Sequence, residues 1–435
     1  MKRAMRKIML FMLSVMTYCG VMAQESLVPE GKEIYIPNEF REDDFNNPES
    51  KWSYHRMATT ENFVVFWEKG FGADLSKAPD LEGRNMKVDL DNLLKRLEEF
   101  YAVYRDKMKF VLPGSKSERY RMMVMLNYSL EGTAYGGSYD NVIGALWVSP
   151  NRIQDKKLNC IAHELGHSFQ SQISCDGTGQ SWGGGGIFEM TSQWMLWNVN
   201  PEWTTDENYH LQDFKKKFHL RFLHGSNIYH SPYVLEYWSM KRGLGVIADL
   251  FRAGRRGEDP ASTYMKMFDL TVDQFSDEMY DCYSRLITFD FPRVKESHRK
   301  FVGEFSTPMD KESGVWTPAE GFAPEIYGFN VVEIPIEKKG AKIKLQFKGD
   351  SDPEKAAFRY GLVAVNAAGD AEYSASMSEY DGKISYKLPK DAERLFFVVV
   401  GCPKGEYKPY GRNMFRPRGE NQEPDPKFDY KLLVK

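Results

Sequence analysis

Residues 163–167 read His-Glu-Leu-Gly-His, and this pentapeptide restricts the fold and chemistry of the chain more than any other segment. On an α-helix, residues four apart lie on one face about one turn apart, so His163 and His167 can direct their imidazoles at one metal ion. Glu164 would lie beside that ion without binding it, in position to take a proton from water whose pKa the metal lowers to about 7. The spacing therefore predicts a zinc-dependent hydrolase.

The sequence around the pentapeptide is typical of a helix with two distinct faces. Six apolar residues recur at helical spacing and predict a buried stripe: Leu158, Ile161, Ala162, Leu165, Phe169 and Ile173. His163, His167 and Gln170 share a different face. The alternative is an ordinary core helix whose two histidines are satisfied by hydrogen bonds, but that interpretation gives no reason for the glutamate between them.

A catalytic zinc usually has three protein ligands and one open position, so a third ligand is needed. No histidine follows His167 within the next six residues, and the next strong candidate is Glu189, 22 residues further on. Its segment predicts a second helix, with Glu189 and Gln193 on a face separate from an apolar stripe of Met190, Trp194 and Trp197. The alternative, a solvated surface glutamate, would leave the metal with two ligands.

These residues resemble the gluzincin clan of zinc metallopeptidases, in which a second helix supplies a glutamate ligand. The resemblance implies that His163, His167 and Glu189 bind one Zn²⁺ per chain and that Glu164 acts as base and then as acid. Many gluzincins have an aspartate where this chain has Gln193, whose neutral amide would raise the basicity of a ligand histidine less. Residues 55–290 also resemble an uncharacterised family of secreted bacterial proteins with the same pair of helices.

A hydrolytic zinc site usually includes a donor for the oxyanion that forms when the carbonyl is attacked. In gluzincins a tyrosine or histidine of the helical lobe often has this role, and residues 229–237 of this chain contain several candidates. Tyr233 is the predicted donor and His230 the alternative. Packing of these aromatic side chains in the core is the competing interpretation.

The N-terminus predicts export. Lys2, Arg3, Arg6 and Lys7 precede an apolar run at 8–22, and small residues suit cleavage after position 23. Removing four positive charges changes the formal net charge from -3 to -7 (-3 - 4), which offers no support for nucleic-acid binding. No later apolar run is long enough to span a membrane. We therefore expect a secreted, periplasmic or cell-surface protein.

The pattern of the chain predicts an α+β fold with two domains. We expect a signal peptide at residues 1–23 and an N-terminal extension at 24–50. Residues 51–290 are predicted to form a zincin-like domain with a small sheet, an active-site helix and a helical lobe. A linker at 291–318 and an antiparallel β-sandwich at 319–435 are expected to follow. Expected strands at 62–67, 120–126 and 142–148, with a helix at 90–108, precede the active-site helix. Residues 145–149 are the candidate edge strand beside the cleft, with an interior position as the alternative.

Together these features predict a secreted zinc endopeptidase that acts on a protein, peptide or glycoprotein substrate. Two other functions stay open at this point. One is an extracellular binding or adhesion protein that keeps the zinc fold without efficient turnover. The other is a zinc hydrolase of amides or esters linked to glycans or lipids.

Overall fold

The computed structural model describes residues 27–179, 186–410 and 425–434. The predicted signal peptide, residues 1–23, lies outside the described residues. The described chain is a mixture of helices and strands, as the sequence predicts. Within these ranges, the helices are too short or too polar to cross a membrane.

A five-stranded sheet forms the N-terminal half of the fold. Its strands are β1 (Met57–Thr59), β2 (Phe63–Trp67), β3 (Met122–Leu126), β4 (Ala134–Tyr139) and β5 (Ile143–Val148). The spatial order is β1-β2-β3-β5-β4, in which β2, β3 and β5 are parallel and β4 is antiparallel to β5. The predicted strands at 62–67, 120–126 and 142–148 are confirmed, because β2, β3 and β5 begin within two residues of the expected positions.

The prediction that residues 145–149 form the edge strand is wrong. Strand β5 contains most of them and lies between β3 and β4, so β4 is the outer strand. A turn at Asp140 and Asn141, both with positive φ, reverses the chain between β4 and β5. Strand β4 reads Ala-Tyr-Gly-Gly-Ser-Tyr. Because glycine is uncommon in strands and the segment has no β-branched residue, the sequence does not predict a strand here.

Helices pack against this sheet and continue into a helical lobe. They are α1 (Leu90–Ala102), α2 (Asn159–Cys175), α3 (Gly186–Val199), α4 (Trp203–Asp206), α5 (Tyr209–Phe214), α6 (Tyr233–Arg242), α7 (Val246–Ala253), α8 (Pro260–Met267) and α9 (Val272–Leu286). The helix expected at 90–108 is α1 together with the π-helical turn Val103–Lys107 that follows it. The His-Glu-Leu-Gly-His segment lies in the first half of α2, and all six residues of its predicted apolar stripe are buried.

Two glycines let α2 lie unusually close to its neighbours. A Cβ atom on Gly136 of β4 would overlap the carbonyl oxygen of Glu164, so the edge strand touches the backbone of α2. A Cβ atom on Gly166 would lie 2.9 Å from Oγ of Ser192 in α3. Because neither position has room for a side chain, α2 is held between the edge strand and α3 at short range.

The C-terminal part contains two antiparallel sheets. Their strands are β6 (Met309–Glu312), β7 (Val315–Pro318), β8 (Phe329–Glu333), β9 (Lys342–Gly349), β10 (Ala356–Asn366), β11 (Ala371–Tyr373), β12 (Asp381–Lys387), β13 (Ala392–Pro403) and β14 (Tyr430–Val434). One sheet has the order β11-β10-β13-β8 and the other β12-β9-β14-β7-β6. Residues from both sheets, including Phe347, Tyr360 and Phe397, share one apolar core.

Residues 291–318 do not form a linker. Residues 309–318 form β6 and β7 of the five-stranded C-terminal sheet. Before them, the side chains of Phe291, Val294, Phe301 and Phe305 are buried in the core that also contains the helical lobe. The segment is charged and rich in turn residues, so its composition does not reveal these buried apolar side chains. It packs against both parts of the fold.

The contact between β4 and α2 predicts the effect of a single methyl group. Gly136→Ala should destabilise the protein by about 3 kcal/mol, because the added Cβ meets backbone that cannot rotate away. Gly137→Ala is the matched control, since its Cβ would meet the ring of Tyr135, which is exposed and free to move. Thermal unfolding of the two variants checks this. Equal melting temperatures for both would contradict the close packing described here.

Candidate metal centre

Three predicted ligands converge on one point. Nε2 of His163 and Nε2 of His167 lie 3.2 Å apart, and each lies 3.1 Å from Oε2 of Glu189. The histidines come from adjacent turns of α2, and Glu189 comes from the first turn of α3. Glu189, one helix away, therefore faces both imidazoles.

The triangle of donor atoms fits a zinc ion. Bonds of about 2.0–2.1 Å at tetrahedral angles place neighbouring donor atoms about 3.3 Å apart, close to the separations found here. Two imidazole nitrogens and one carboxylate oxygen are a ligand set found in catalytic zinc sites. The three residues would fill three corners of a tetrahedron and leave the fourth corner free for water or substrate.

The ligands lie in a largely enclosed environment. The side chains of His163, His167 and Glu189 are 12%, 15% and 14% exposed. Burial alone would lower the pKa of His163, but the hydrogen bond to Glu189 and the charges of Glu164 and Glu189 raise it above its ordinary value. Burial alone would raise the pKa of Glu189, whereas the two histidines lower it. The site is thus arranged to keep Glu189 ionised, as metal binding requires.

Glu164 follows His163 directly on α2. The charge of its carboxylate contributes to the raised pKa of His163 and of Tyr229. Cys160, one turn earlier on α2, is a free thiol. Burial, followed by the charge of Glu164, raises the pKa of Cys160 to about 12. Cys160 therefore stays protonated at neutral pH, as expected of a packing residue rather than a metal ligand.

Two glutamine amides contact the outer nitrogens of the ligand histidines. Nδ1 of His163 donates to Oε1 of Gln193 at 2.9 Å, and Nδ1 of His167 donates to Oε1 of Gln170 at 3.3 Å. The sequence placed Gln193 near a ligand histidine and Gln170 on the same helical face as both. The structure brings both amides to the site, each 3% exposed.

The residues predicted as oxyanion donors lie elsewhere. Tyr233 is the first residue of α6, is 1% exposed, and packs in the core against Trp197, Phe214 and Phe289. Its hydroxyl has no hydrogen-bond partner within the described ranges. His230 places its Nδ1 2.7 Å from Nδ1 of His210, and burial lowers its pKa to about 4. Neither side chain joins the three ligands.

Tyr229, which the sequence did not single out, does reach the ligands. Its ring stacks on that of His163 with centroids 6.1 Å apart. Burial, the charge of Glu189 and a hydrogen bond to that carboxylate raise the pKa of Tyr229 well above its ordinary value. A protonated phenol therefore stands beside the metal ligands.

His224, Glu325 and Asp425 form a second group of possible ligands. Here the chain supplies its own positive charge, because the guanidinium of Arg221 lies 3.3 Å from Asp425 and the Arg221 backbone N–H donates to Glu325. Asp425 is therefore half of a buried ion pair, and Glu325 accepts a backbone hydrogen bond.

Residues 26–433 match a family described as a family of unknown function (DUF6055). The match extends over nearly the whole sequence, so the chain belongs to this family. A search of curated protein sequences finds no significant match.

Several solved structures are similar in part. The ZmpB metallopeptidase from Clostridium perfringens is 16% identical, with a TM-score of 0.33 over 81% of this chain and 67% of that one. The catalytic module of the metalloprotease ZmpA from Clostridium perfringens is 10% identical, with a TM-score of 0.33 over 79% and 67%. A ZmpB structure from the same organism with M60 catalytic and CBM51 domains is 11% identical, with a TM-score of 0.32 over 88% and 60%.

The triangle of donor atoms predicts the metal content of a simple variant. Glu189→Ala should reduce bound zinc from one ion per chain to a small fraction, because two imidazoles alone leave the tetrahedron half filled. Glu202→Ala, which removes an exposed glutamate just after α3, should keep the full ion. Elemental analysis of the purified, dialysed proteins gives the comparison. Equal, tight zinc retention in both variants would show that Glu189 is not the third ligand.

Proposed function

We propose that this protein is a zinc-dependent hydrolase, and specifically a peptidase, in which His163, His167 and Glu189 hold one zinc ion per chain. The observation that carries the proposal is the triangle of two imidazole nitrogens and one carboxylate oxygen with sides of 3.1–3.2 Å. Zinc held there would supply Lewis acidity, which makes water nucleophilic at neutral pH and polarises a carbonyl.

Glu164 is the general base in this proposal. It follows His163 directly on α2, so its carboxylate lies beside the ligands without being one of the three donors. It accepts the proton of the attacking water and then donates that proton to the leaving amine. A carboxylate that serves as base and then as acid must reach both the water and the leaving amine, and a residue next to a ligand histidine on the same helix is suitably placed for both.

Tyr229 is the donor for the oxyanion. Its ring stacks on that of the ligand His163, and its raised pKa keeps the hydroxyl protonated at neutral pH. A hydroxyl in this position donates a hydrogen bond to the oxygen that gains negative charge as the carbonyl is attacked. This assignment replaces Tyr233, whose hydroxyl is buried in the helical lobe.

The edge strand supports a peptide as substrate. Strand β4 is the outer strand of its sheet, and Gly136 brings its backbone against the carbonyl of Glu164. An extended peptide that pairs with an exposed strand gains main-chain hydrogen bonds without a sequence requirement. A substrate paired with β4 would pass directly beside α2, where the general base lies.

The role of Glu164 is tested by Glu164→Gln. This variant should keep one zinc ion per chain and lose at least about 100-fold in hydrolytic rate, because the amide cannot accept the proton of water. The substrate is found by digesting an unbiased peptide library with the wild-type protein and confirming that a chelator abolishes cleavage and zinc restores it. Unchanged cleavage of that substrate by Glu164→Gln would refute the mechanism.

The role of Tyr229 is tested by comparing two tyrosines. Tyr229→Phe should lower kcat about 100-fold with a smaller change in KM, since the lost hydrogen bond forms as the oxyanion develops. Tyr233→Phe should leave kcat unchanged, because the Tyr233 hydroxyl has no described partner to lose. Steady-state kinetics on the same peptide distinguish them. A large loss in Tyr233→Phe with none in Tyr229→Phe would reverse the assignment.

A further inference from the structure

The Nδ1 atom of each ligand histidine contacts a glutamine side-chain amide. Each of these amides makes further hydrogen bonds that hold it in one orientation. The amide nitrogen of Gln193 donates to the backbone carbonyl of Tyr229 at 2.9 Å. The amide nitrogen of Gln170 donates to the backbone carbonyl of Phe188 and to Oγ of Ser192, both at 3.0 Å. A backbone carbonyl only accepts hydrogen bonds, so in each amide the nitrogen must face the carbonyl and the oxygen must face the imidazole.

This orientation determines the tautomer of both histidines. An amide oxygen accepts only, so Nδ1 of His163 and Nδ1 of His167 must carry the proton. In the neutral imidazole each Nε2 then has the lone pair, and both Nε2 atoms face the point where the three donors converge. The two amides therefore prepare the imidazoles for a metal before one binds.

We infer that Gln170 and Gln193 are positioning residues for the metal centre, and that glutamine is required at both places because each side chain must donate and accept at once. The inference rests on the proposed zinc site. By the resemblance to gluzincins, Gln193 is a weaker substitute for aspartate. In this inference it is instead the residue type that the site requires.

A carboxylate at either position would be mismatched. It accepts hydrogen bonds but donates none, so Gln193→Glu would place a negatively charged oxygen opposite the Tyr229 carbonyl at the present 2.9 Å separation. The position is 3% exposed, so water cannot relieve the repulsion. His210 adds a further constraint, since its Nε2 lies 3.1 Å from the Gln193 amide nitrogen.

Gln193 also links the metal ligands to the proposed oxyanion donor. Its oxygen contacts His163, and its nitrogen contacts the backbone of Tyr229, whose ring stacks on the same imidazole. Loss of the amide would release the Tyr229 backbone as well as the His163 ring. A single side chain thus sets the positions of a ligand and of a catalytic hydroxyl.

The test compares four single variants by zinc affinity, measured by competition with a chromophoric chelator, and by the visible absorption of the cobalt-substituted protein. Gln193→Glu, Gln193→Met and Gln170→Glu should each weaken zinc binding at least about tenfold and alter the cobalt spectrum. Gln172→Glu is the matched control. Gln172 is fully buried on α2, the helix of Gln170. Its amide also donates and accepts: it donates to Asp176 and accepts from the backbone N–H of Gly144, and it contacts no metal ligand.

The Gln193 pair separates two explanations. If the amide merely supplied ligand basicity, Gln193→Glu would tighten zinc binding while Gln193→Met weakened it; if donation is required, both weaken it. Circular dichroism confirms that each variant is folded, and Gln193→Met avoids the cost of a buried charge. Zinc binding by Gln193→Glu as tight as the wild type, with an unchanged cobalt spectrum, would overturn this inference alone. Failure of the wild-type protein to bind zinc would overturn the proposed function and this inference with it.

Discussion

The close packing of α2 against α3 is the constraint on which the site depends. Glu189 lies in the first turn of α3, so its distance from the two histidines is determined by how nearly the helices approach. Gly166 lies at their contact, where a Cβ atom would lie 2.9 Å from Ser192. Any larger side chain would push α3 outwards and widen the triangle of donors beyond what one zinc ion bridges. The glycine inside the pentapeptide is therefore as much a condition for metal binding as the histidines.

The site could be predicted from the sequence where its geometry is local. Helical periodicity places His163 and His167 together without knowledge of the rest of the fold, and the apolar stripe of α3 left Glu189 on a separate face. The continuous apolar runs of β2, β3 and β5 are equally local signals. Strand β4 could not be found this way, because Gly136 is selected by its contact with Glu164, which lies 28 residues away in the sequence.

Tyr229 shows the same limit at the level of one side chain. It lies four residues before Tyr233 in a segment rich in aromatic residues, and composition does not distinguish the two. The two rings differ in where they lie relative to the start of α6. Tyr233 begins α6 and points into the helical lobe, whereas Tyr229 precedes the helix and is held by its carbonyl to Gln193. Only the tertiary contact between this segment and α3 decides which ring meets the ligands.

The C-terminal sheets contribute to the site through the helical lobe. The ring of Tyr283 in α9 stacks on Phe329 of β8 with centroids 4.1 Å apart, and Arg359 of β10 pairs with Asp273 and Asp277 of the same helix. Helix α9 in turn supports α6, because Asp281 accepts a hydrogen bond from Tyr237. The segment that presents Tyr229 leads directly into α6. The sheets therefore stabilise the helices that hold the proposed oxyanion donor in place.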